Sequence, residues 1–185
     1  SFDGASHQSV EDVAVMRSLP NMNVIVAPSA PAVKPLLKSA SQAKKPVYIR
    51  LCRNPLPTLQ VDENNPFNEK TWKVADGKDV TIVVCGVPSY MAVEAGKQLA
   101  EKGIAADVFV VSSLKPFYAD EIITSIEKTK KVLTIEEHGI IGGLRSALLE
   151  SCPTSLGFNL DSIAINDVYG ETGPYDELLD KYGLN

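Results

Sequence analysis

Short apolar runs alternate with amphipathic segments through the second half of the 185-residue chain, and this alternation restricts the fold more than any other property. The apolar runs cover 80–85, 107–111, 132–135 and 162–165, and the helix-like patterns cover 90–102, 119–128, 144–151 and 175–182. Strands that are buried on both faces have near-continuous apolar sequences. Right-handed crossovers place the intervening helices on both sides of such a sheet. We therefore predict a mostly parallel α/β domain.

The first 53 residues contain a shorter version of the same alternation. A predicted helix over 10–17 has Ser9 as its expected capping residue, and Pro20-Asn21 closes it. A β-branched run over 23–27 predicts a strand, 32–43 a helix, and 47–51 a second strand. The N-terminal part is therefore predicted to be a partial α/β segment, with its two strands parallel.

Residues 54–79 separate the two parts. This stretch is rich in proline and asparagine, contains Asp76-Gly77 and has little periodicity, so we predict a long connection without regular structure. The predicted organisation is a first domain over 1–60, a linker over 61–76 and a second domain over 77–185.

Composition excludes several functional classes. A net charge of -5 with 22% charged residues gives no basic surface for nucleic acid. The longest apolar run, 80–86, is far below the roughly 18 residues of a membrane span. Three widely spaced cysteines indicate neither a disulfide framework nor a zinc site, so we expect a reducing, cytoplasmic environment. Ser1 replaces an initiator Met and no signal peptide follows, so we expect a cut N-terminus.

Imidazole chemistry in this chain would have to use His7 or His138, the two histidines of the sequence. His7 lies in the small-residue loop Asp3-Gly4-Ala5-Ser6-His7-Gln8, which enters a predicted helix. Glycine lets backbone approach a ligand, and helix N-termini attract anions. From the residues alone, a site at His7 and a purely structural role at the helix start are equally supported.

The other candidates lie near predicted strand ends. His138 precedes a glycine-bearing turn that lacks the spacing of a nucleotide-binding loop, which favours a structural role. Glu136 and Glu137 should point to opposite faces of a strand, one as a buried cap and one as a solvated acid. Arg53 follows the strand that contains Arg50, and a guanidinium there could bind phosphate, although a surface salt bridge is the commoner role.

The loop and the helix that follows it resemble the transketolase family. The residues that carry the resemblance are Asp3-Gly4-Ala5-Ser6-His7-Gln8-Ser9-Val10-Glu11-Asp12, Arg17-Ser18-Leu19-Pro20-Asn21, Val26-Ala27-Pro28-Ser29-Ala30, Pro46 to Arg53, Ser113-Leu114-Lys115-Pro116, Glu136-Glu137-His138 and Tyr169-Gly170-Glu171-Thr172-Gly173-Pro174. They extend over essentially the whole chain, and the pattern is most similar to the C-terminal subunits of split transketolases. The resemblance implies the last part of a pyrimidine-binding domain followed by a transketolase C-terminal domain.

The resemblance also implies a reaction. Such an enzyme transfers a two-carbon ketol unit between sugar phosphates, as in the pentose phosphate pathway, and uses thiamine diphosphate with a divalent cation such as Mg²⁺. By motif position, His7 would act in catalysis, Asp3 would bind the donor hydroxyl, and Arg53 would bind the sugar phosphate. Cofactor-binding and metal-binding residues are expected outside this chain, on an N-terminal subunit or a missing N-terminal part. We expect the chain alone to be inactive, to hold no cofactor, and to form homo-oligomers.

The sequence leaves two other assignments open. One is a related thiamine-diphosphate enzyme, either a deoxyxylulose-phosphate synthase or a keto-acid dehydrogenase β chain. Ser6-His7-Gln8 followed by Glu11-Asp12 favours the transketolase branch over these. The other is an assembly or regulatory module that retains a relict site.

Overall fold

The computed structural model describes residues 3–59 and 67–185. In chain order the strands are β1 (Asn23–Val26), β2 (Val47–Arg50), β3 (Thr71–Ala75), β4 (Val80–Cys85), β5 (Ala106–Val111), β6 (Ser113–Lys115), β7 (Lys131–Gly139) and β8 (Asn159–Ile165). The helices are α1 (Asp12–Ser18), α2 (Ala30–Gln42), α3 (Ser89–Glu101), α4 (Asp120–Thr129), α5 (Leu144–Ser151) and α6 (Tyr175–Lys181), preceded by a 3₁₀ helix (Ala5–His7). The predicted α/β class is confirmed. Within the described ranges, no helix is both long and apolar enough to cross a membrane.

The larger sheet has the strand order β3-β5-β4-β7-β8. Strands β5, β4, β7 and β8 are parallel, and β3 pairs antiparallel with β5 at one edge. Along β4, Val83 and Cys85 join one buried cluster while Ile82 and Val84 join another. Helices therefore cover both faces of the sheet, as the continuous apolar runs predicted.

The smaller sheet joins the two predicted parts of the chain. Its order is β2-β1-β6, with β1 parallel to β2 and antiparallel to β6. Strand β6 comes from the region predicted as the second domain. Val13 and Val24 of the N-terminal segment lie in the same buried cluster as Phe109 and Ile122. The domain boundaries stay predictions, but the hydrophobic core is shared between the two parts.

The prediction of an unstructured connection over 54–79 was wrong at its C-terminal end. Residues Thr71–Ala75 form β3, in which Trp72 is buried and packs edge-on against Phe67 with ring centroids 5.6 Å apart. Residues 61–66 of the predicted linker lie outside the described part. The three-residue strand β6 was also not predicted, because its sequence is too short to show a period.

Helix α1 is short, and residues from the predicted second domain hold both of its ends. Ser9 was predicted to cap it, but the helix begins at Asp12, and its N-cap residue is Glu11. The ring of His138 accepts the Ala14 N–H instead, at 3.3 Å. At the other end, Lys115 Nζ donates to the carbonyls of Arg17 and Leu19 at 2.7 and 2.6 Å. Seven residues give few internal hydrogen bonds, so these caps supply the partners that the helix lacks.

A buried acid caps α5. The Glu136 carboxylate accepts the N–H groups of Leu144 and Arg145 at 2.6 and 3.0 Å. This confirms the predicted buried cap of the Glu136-Glu137 pair. Burial raises the pKa of Glu136 to about 7 even though both N–H groups favour the charged form. The helix N-terminus therefore relies on an acid that has almost no contact with solvent.

Gly143→Ala is expected to lower the free energy of unfolding by about 2 kcal/mol, because the cap would be displaced. A Cβ at Gly143 would lie 2.0 Å from Glu136 Oε2. Gly157→Ala is the matched control, since a Cβ there meets nothing within 4 Å, and it should change stability by less than about 0.5 kcal/mol. Urea denaturation of the two variants measures the difference, and equal stabilities would contradict the capping role.

Candidate active site

The loop that carries His7 is packed against a second loop from the far end of the chain. Gly4 has a φ of 82°, which favours glycine, and a Cβ there would lie 2.9 Å from Thr172 Oγ1. Gln8 Nε2 donates to the Glu171 carbonyl at 2.7 Å. The two motifs at opposite ends of the sequence are thus neighbours in the structure.

The three predicted site residues lie in this region. Arg53 Nη1 is 2.7 Å from Asp3 Oδ2, and the arginine side chain is 78% exposed. His7 is exposed, and Ser6 Oγ lies 3.0 Å from its Nδ1. Ser6 therefore engages one ring nitrogen, and Nε2 is the nitrogen available to a ligand. The structure joins Asp3 and Arg53 directly, and both His7 and Arg53 line a common cavity.

That cavity has a volume of about 400 Å³ and lies between the His7 loop, β2 and α6. Its polar lining includes His7, Arg50, Arg53 and Glu137. Its apolar lining includes three leucines of the C-terminal segment: Leu178, Leu179 and Leu184. A cleft of this size, with a few charged groups over an apolar surface, is suited to a small polar ligand.

Arg50 joins the cavity wall to the main chain around it. Its Nη1 donates to the Glu137 carbonyl at 2.7 Å and its Nη2 to the Ser9 carbonyl at 3.1 Å. Its Nε lies 3.4 Å from Asp12 Oδ2, which also accepts the Tyr48 hydroxyl at 2.5 Å. Burial raises the pKa of Tyr48 to about 12, helped by the bond to Asp12, so the phenol stays a donor.

Glu137 corrects the prediction of a solvated acid. Its side chain is only 19% exposed, it accepts the Tyr175 hydroxyl at 2.8 Å, and its Oε2 lies 4.0 Å from Arg50 Nη2. Burial raises the pKa of Glu137, while Arg50 and the Tyr175 hydroxyl partly offset that rise. The cause is the packing of α6 over the end of β7, which the alternation of strand faces alone does not reveal.

Burial also affects the remaining polar candidates. His138 is buried, and burial lowers the pKa of its ring. Burial likewise raises the pKa of all three cysteines, which keeps them as protonated thiols rather than nucleophiles. Sequence reasoning missed Arg50 and Tyr175 as members of the site. The signal for Arg50 was a charge inside a strand predicted to be buried, which requires partners.

The chain is an α/β protein with a charged cavity at the carboxyl ends of its strands. In proteins of this class, ligands bind in clefts at that edge of the sheet. Residues 69–185 match the family described as transketolase, C-terminal domain, and residues 1–58 match the transketolase pyrimidine binding domain. The chain belongs to the transketolase family. The resemblance seen in its motifs is therefore confirmed.

Individual relatives agree with this assignment. A "Putative transketolase C-terminal section" of Methanocaldococcus jannaschii is 40% identical over 187 residues, an alignment that covers 99% of this chain and 58% of that protein. The 6-deoxy-6-sulfo-D-fructose transketolase subunit SqwH of Clostridium sp. strain MSTE9 is 35% identical over 185 residues, with 99% and 57% covered. A solved structure of a split gene transketolase, an inactive β4 tetramer, superposes with a TM-score of 0.88 at 42% identity, covering 98% of this chain and 60% of that one. The chain thus spans less than two thirds of these relatives.

The family implies that the complete enzyme depends on thiamine diphosphate. The diphosphate of such a cofactor is held through a divalent cation, which prefers several oxygen ligands. Within 3–59 and 67–185, no group of three or more His, Cys, Asp or Glu side chains is placed to hold a metal ion. The described residues therefore show no such cluster of ligands for the cation of a diphosphate.

Proposed function

We propose that this chain is the C-terminal part of a transketolase that transfers a two-carbon ketol unit between a ketose phosphate and an aldose phosphate. One observation carries the proposal: Asp3, His7 and Arg53, which the family motifs single out, lie in one region beside the cavity. A carboxylate, an imidazole and a guanidinium are the groups that a phosphorylated sugar requires.

The three residues would divide the work. Arg53 would bind the phosphate, since a planar guanidinium grips phosphate oxygens with two parallel bonds. Asp3 would accept a donor hydroxyl, and His7 would move or polarise protons at the reacting carbons. Because a sugar's reacting carbons and its phosphate lie far apart, we propose that the Asp3–Arg53 ion pair opens when substrate binds. Its exposure makes that opening inexpensive, since exposed ion pairs contribute about 1 kcal/mol or less.

The cofactor side of the site would come from elsewhere. Thiamine diphosphate, when bound, supplies the electron sink for the transferred unit. We propose that an N-terminal subunit, or an N-terminal part of the same enzyme, holds it, and that copies of this chain associate with each other. The relatives support this proposal: one is described as a transketolase subunit and another as a split gene transketolase in an inactive β4 form.

The isolated chain is expected to bind thiamine diphosphate negligibly and to show no ketol transfer. The complete enzyme should bind the cofactor and transfer ketol units. Titration calorimetry with the cofactor and Mg²⁺ tests the first expectation, and a coupled assay with a ketose phosphate tests the second. Micromolar cofactor binding by the chain alone would contradict the proposed division of the site.

The same assay separates the alternative assignments. A deoxyxylulose-phosphate synthase or a keto-acid dehydrogenase would consume pyruvate or another keto acid and release carbon dioxide. A transketolase would use a ketose phosphate and release no carbon dioxide from it. An assembly or regulatory module would leave the reaction unaffected when His7 is changed.

A further inference from the structure

Two of three consecutive residues at the end of β7 contact the segment that follows His7, and the third contacts Arg50. We call Glu137, His138 and Gly139 the strand-end platform. The Gly139 N–H donates to the Val10 carbonyl at 2.7 Å, and His138 Nε2 accepts the Ala14 N–H at 3.3 Å. The Glu137 carbonyl accepts Arg50 Nη1 at 2.7 Å. Glu137 and His138 belong to the Glu-Glu-His motif, which Gly139 follows and to which the proposed reaction assigns no role.

Arg50 connects the platform to the His7 loop. The guanidinium that binds the Glu137 carbonyl also donates to the carbonyl of Ser9, only two residues beyond His7. Asp12 lies beside its Nε at 3.4 Å. The planar guanidinium of Arg50 thus contacts acceptors on β7, on the His7 loop and on α1. An ammonium group cannot reproduce this geometry. The position of the Ser9 carbonyl, and through it that of His7, is tied to the end of β7.

His138 can accept the Ala14 N–H only when its ring is neutral. Its Nδ1 lies 2.7 Å from the Gly139 carbonyl, which can only accept a hydrogen bond, so Nδ1 carries the proton. Nε2 is then unprotonated, and its lone pair accepts the Ala14 N–H. A neutral ring with the proton on Nδ1 satisfies both contacts, and a protonated ring would lose the second. The buried histidine is thus an acceptor that fixes the first turn of α1.

We propose that the strand-end platform, with Arg50 as the clamp, positions the His7 loop for catalysis. The proposal rests on the proposed catalytic role of His7. Arg50 and His138 are positioning residues, because they contact the loop and helix rather than the reacting atoms. The C-terminal domain would therefore contribute to the reaction through geometry, and displacement of a reacting group by about 1 Å is enough to cost about a hundredfold in rate.

Arg50→Lys in the complete enzyme is the principal test. It should lower kcat by about tenfold to a hundredfold, change KM for hydroxypyruvate less than about threefold, and leave the unfolding midpoint nearly unchanged. Arg145→Lys, which makes the same substitution on α5, is the control and should keep wild-type kcat. A wild-type kcat for Arg50→Lys, or a loss of kcat matched by global destabilisation, would overturn the proposal.

Two measurements on the chain itself do not depend on ketol transfer. Hydrogen exchange of the His7 and Gln8 amides should quicken about tenfold or more in Arg50→Lys and not in Arg145→Lys, while core amides such as that of Phe109 stay protected. Nitrogen NMR of wild type should show His138 neutral with the proton on Nδ1. Unchanged exchange, or a proton on Nε2, would refute the positioning role. Absence of ketol transfer by the wild-type complete enzyme would instead refute the proposed function and leave these two results decisive.

Discussion

Replacing His7 with alanine in the complete enzyme is expected to lower kcat by about a hundredfold or more, with ketose phosphates and with hydroxypyruvate alike. The physical reason is that proton transfer at the reacting carbons is common to both donors. Ser6 engages Nδ1 at 3.0 Å, which leaves Nε2 to meet the substrate. Steady-state kinetics with the two donors measures the effect, and a loss confined to phosphorylated donors would contradict a catalytic role for His7.

Arg53→Ala is the matched comparison within the same experiment. A charge-assisted contact with phosphate contributes about 1.5 to 3 kcal/mol, so its loss should raise KM for phosphorylated donors by roughly ten- to a hundredfold. The phosphate keeps its charge during the reaction, so kcat should change little. Hydroxypyruvate, which has no phosphate, should be nearly unaffected. An equal penalty on both donors would remove the phosphate assignment and leave Arg53 as the surface partner of Asp3.

The repeated alternation of strands and helices was predictable from the sequence, because buried strands and helix ends are marked by residues close together in the chain. The run Val80–Cys85 is apolar at every position but Thr81, and the structure buries both of its faces. Helix α5 begins and ends at the predicted residues, Leu144 and Ser151, because a glycine turn precedes it and Pro153 follows shortly after.

What the sequence concealed depends on contacts between distant segments. Thr71–Ala75 has ordinary strand residues, but its flanking turn residues hid it, and only pairing with β5 makes it a strand. The burial of Glu137 results from Tyr175, which lies 38 positions further along the chain. The cap of α1 is His138 rather than nearby Ser9, because the tertiary fold brings an imidazole to the helix end. Motif resemblance selected Asp3, His7 and Arg53 as candidates, whereas the contacts of Arg50 with Glu137 and Ser9 became visible only in three dimensions.

A second result with a large expected effect concerns Asp107, a fully buried carboxylate at the start of β5. Its Oδ2 lies 2.6 Å from Lys128 Nζ and accepts the Ser125 hydroxyl at 2.5 Å. Its Oδ1 accepts the Gly77 N–H at 2.8 Å and lies 2.9 Å from Lys73 Nζ. One acid thus holds α4 and the turn before β4 against the sheet, so its loss leaves several donors without their acceptor.

Asp107→Ala is expected to lower the free energy of unfolding by about 3 kcal/mol, at the lower end of the range for broken buried ion pairs because both lysines can turn toward water. For a chain of this size, each kcal/mol corresponds to a shift of about 2 to 4 °C in Tm. Asp76→Asn is the control: Asp76 is 92% exposed and also pairs with Lys73, so its loss should cost less than about 1 kcal/mol. Calorimetry or urea denaturation at pH 7 compares the variants, and a small effect for Asp107→Ala would contradict its role as the common acceptor.

The same carboxylate sets part of the acid sensitivity of the fold. Burial alone would raise the pKa of Asp107, but the bonds from Lys128, Ser125, Gly77 and Lys73 outweigh it and lower the pKa to about 2. An acid whose pKa is lower in the folded chain stabilises the fold above its unfolded pKa of about 3.9 and loses that contribution as the pH falls toward 2. Wild type should therefore lose about 1 kcal/mol through this group between pH 5 and pH 3. Asp107→Asn, which does not titrate, should show a correspondingly shallower decline in urea-unfolding experiments over that range. Identical slopes for the two proteins would show that the Asp107 network does not favour the charged carboxylate.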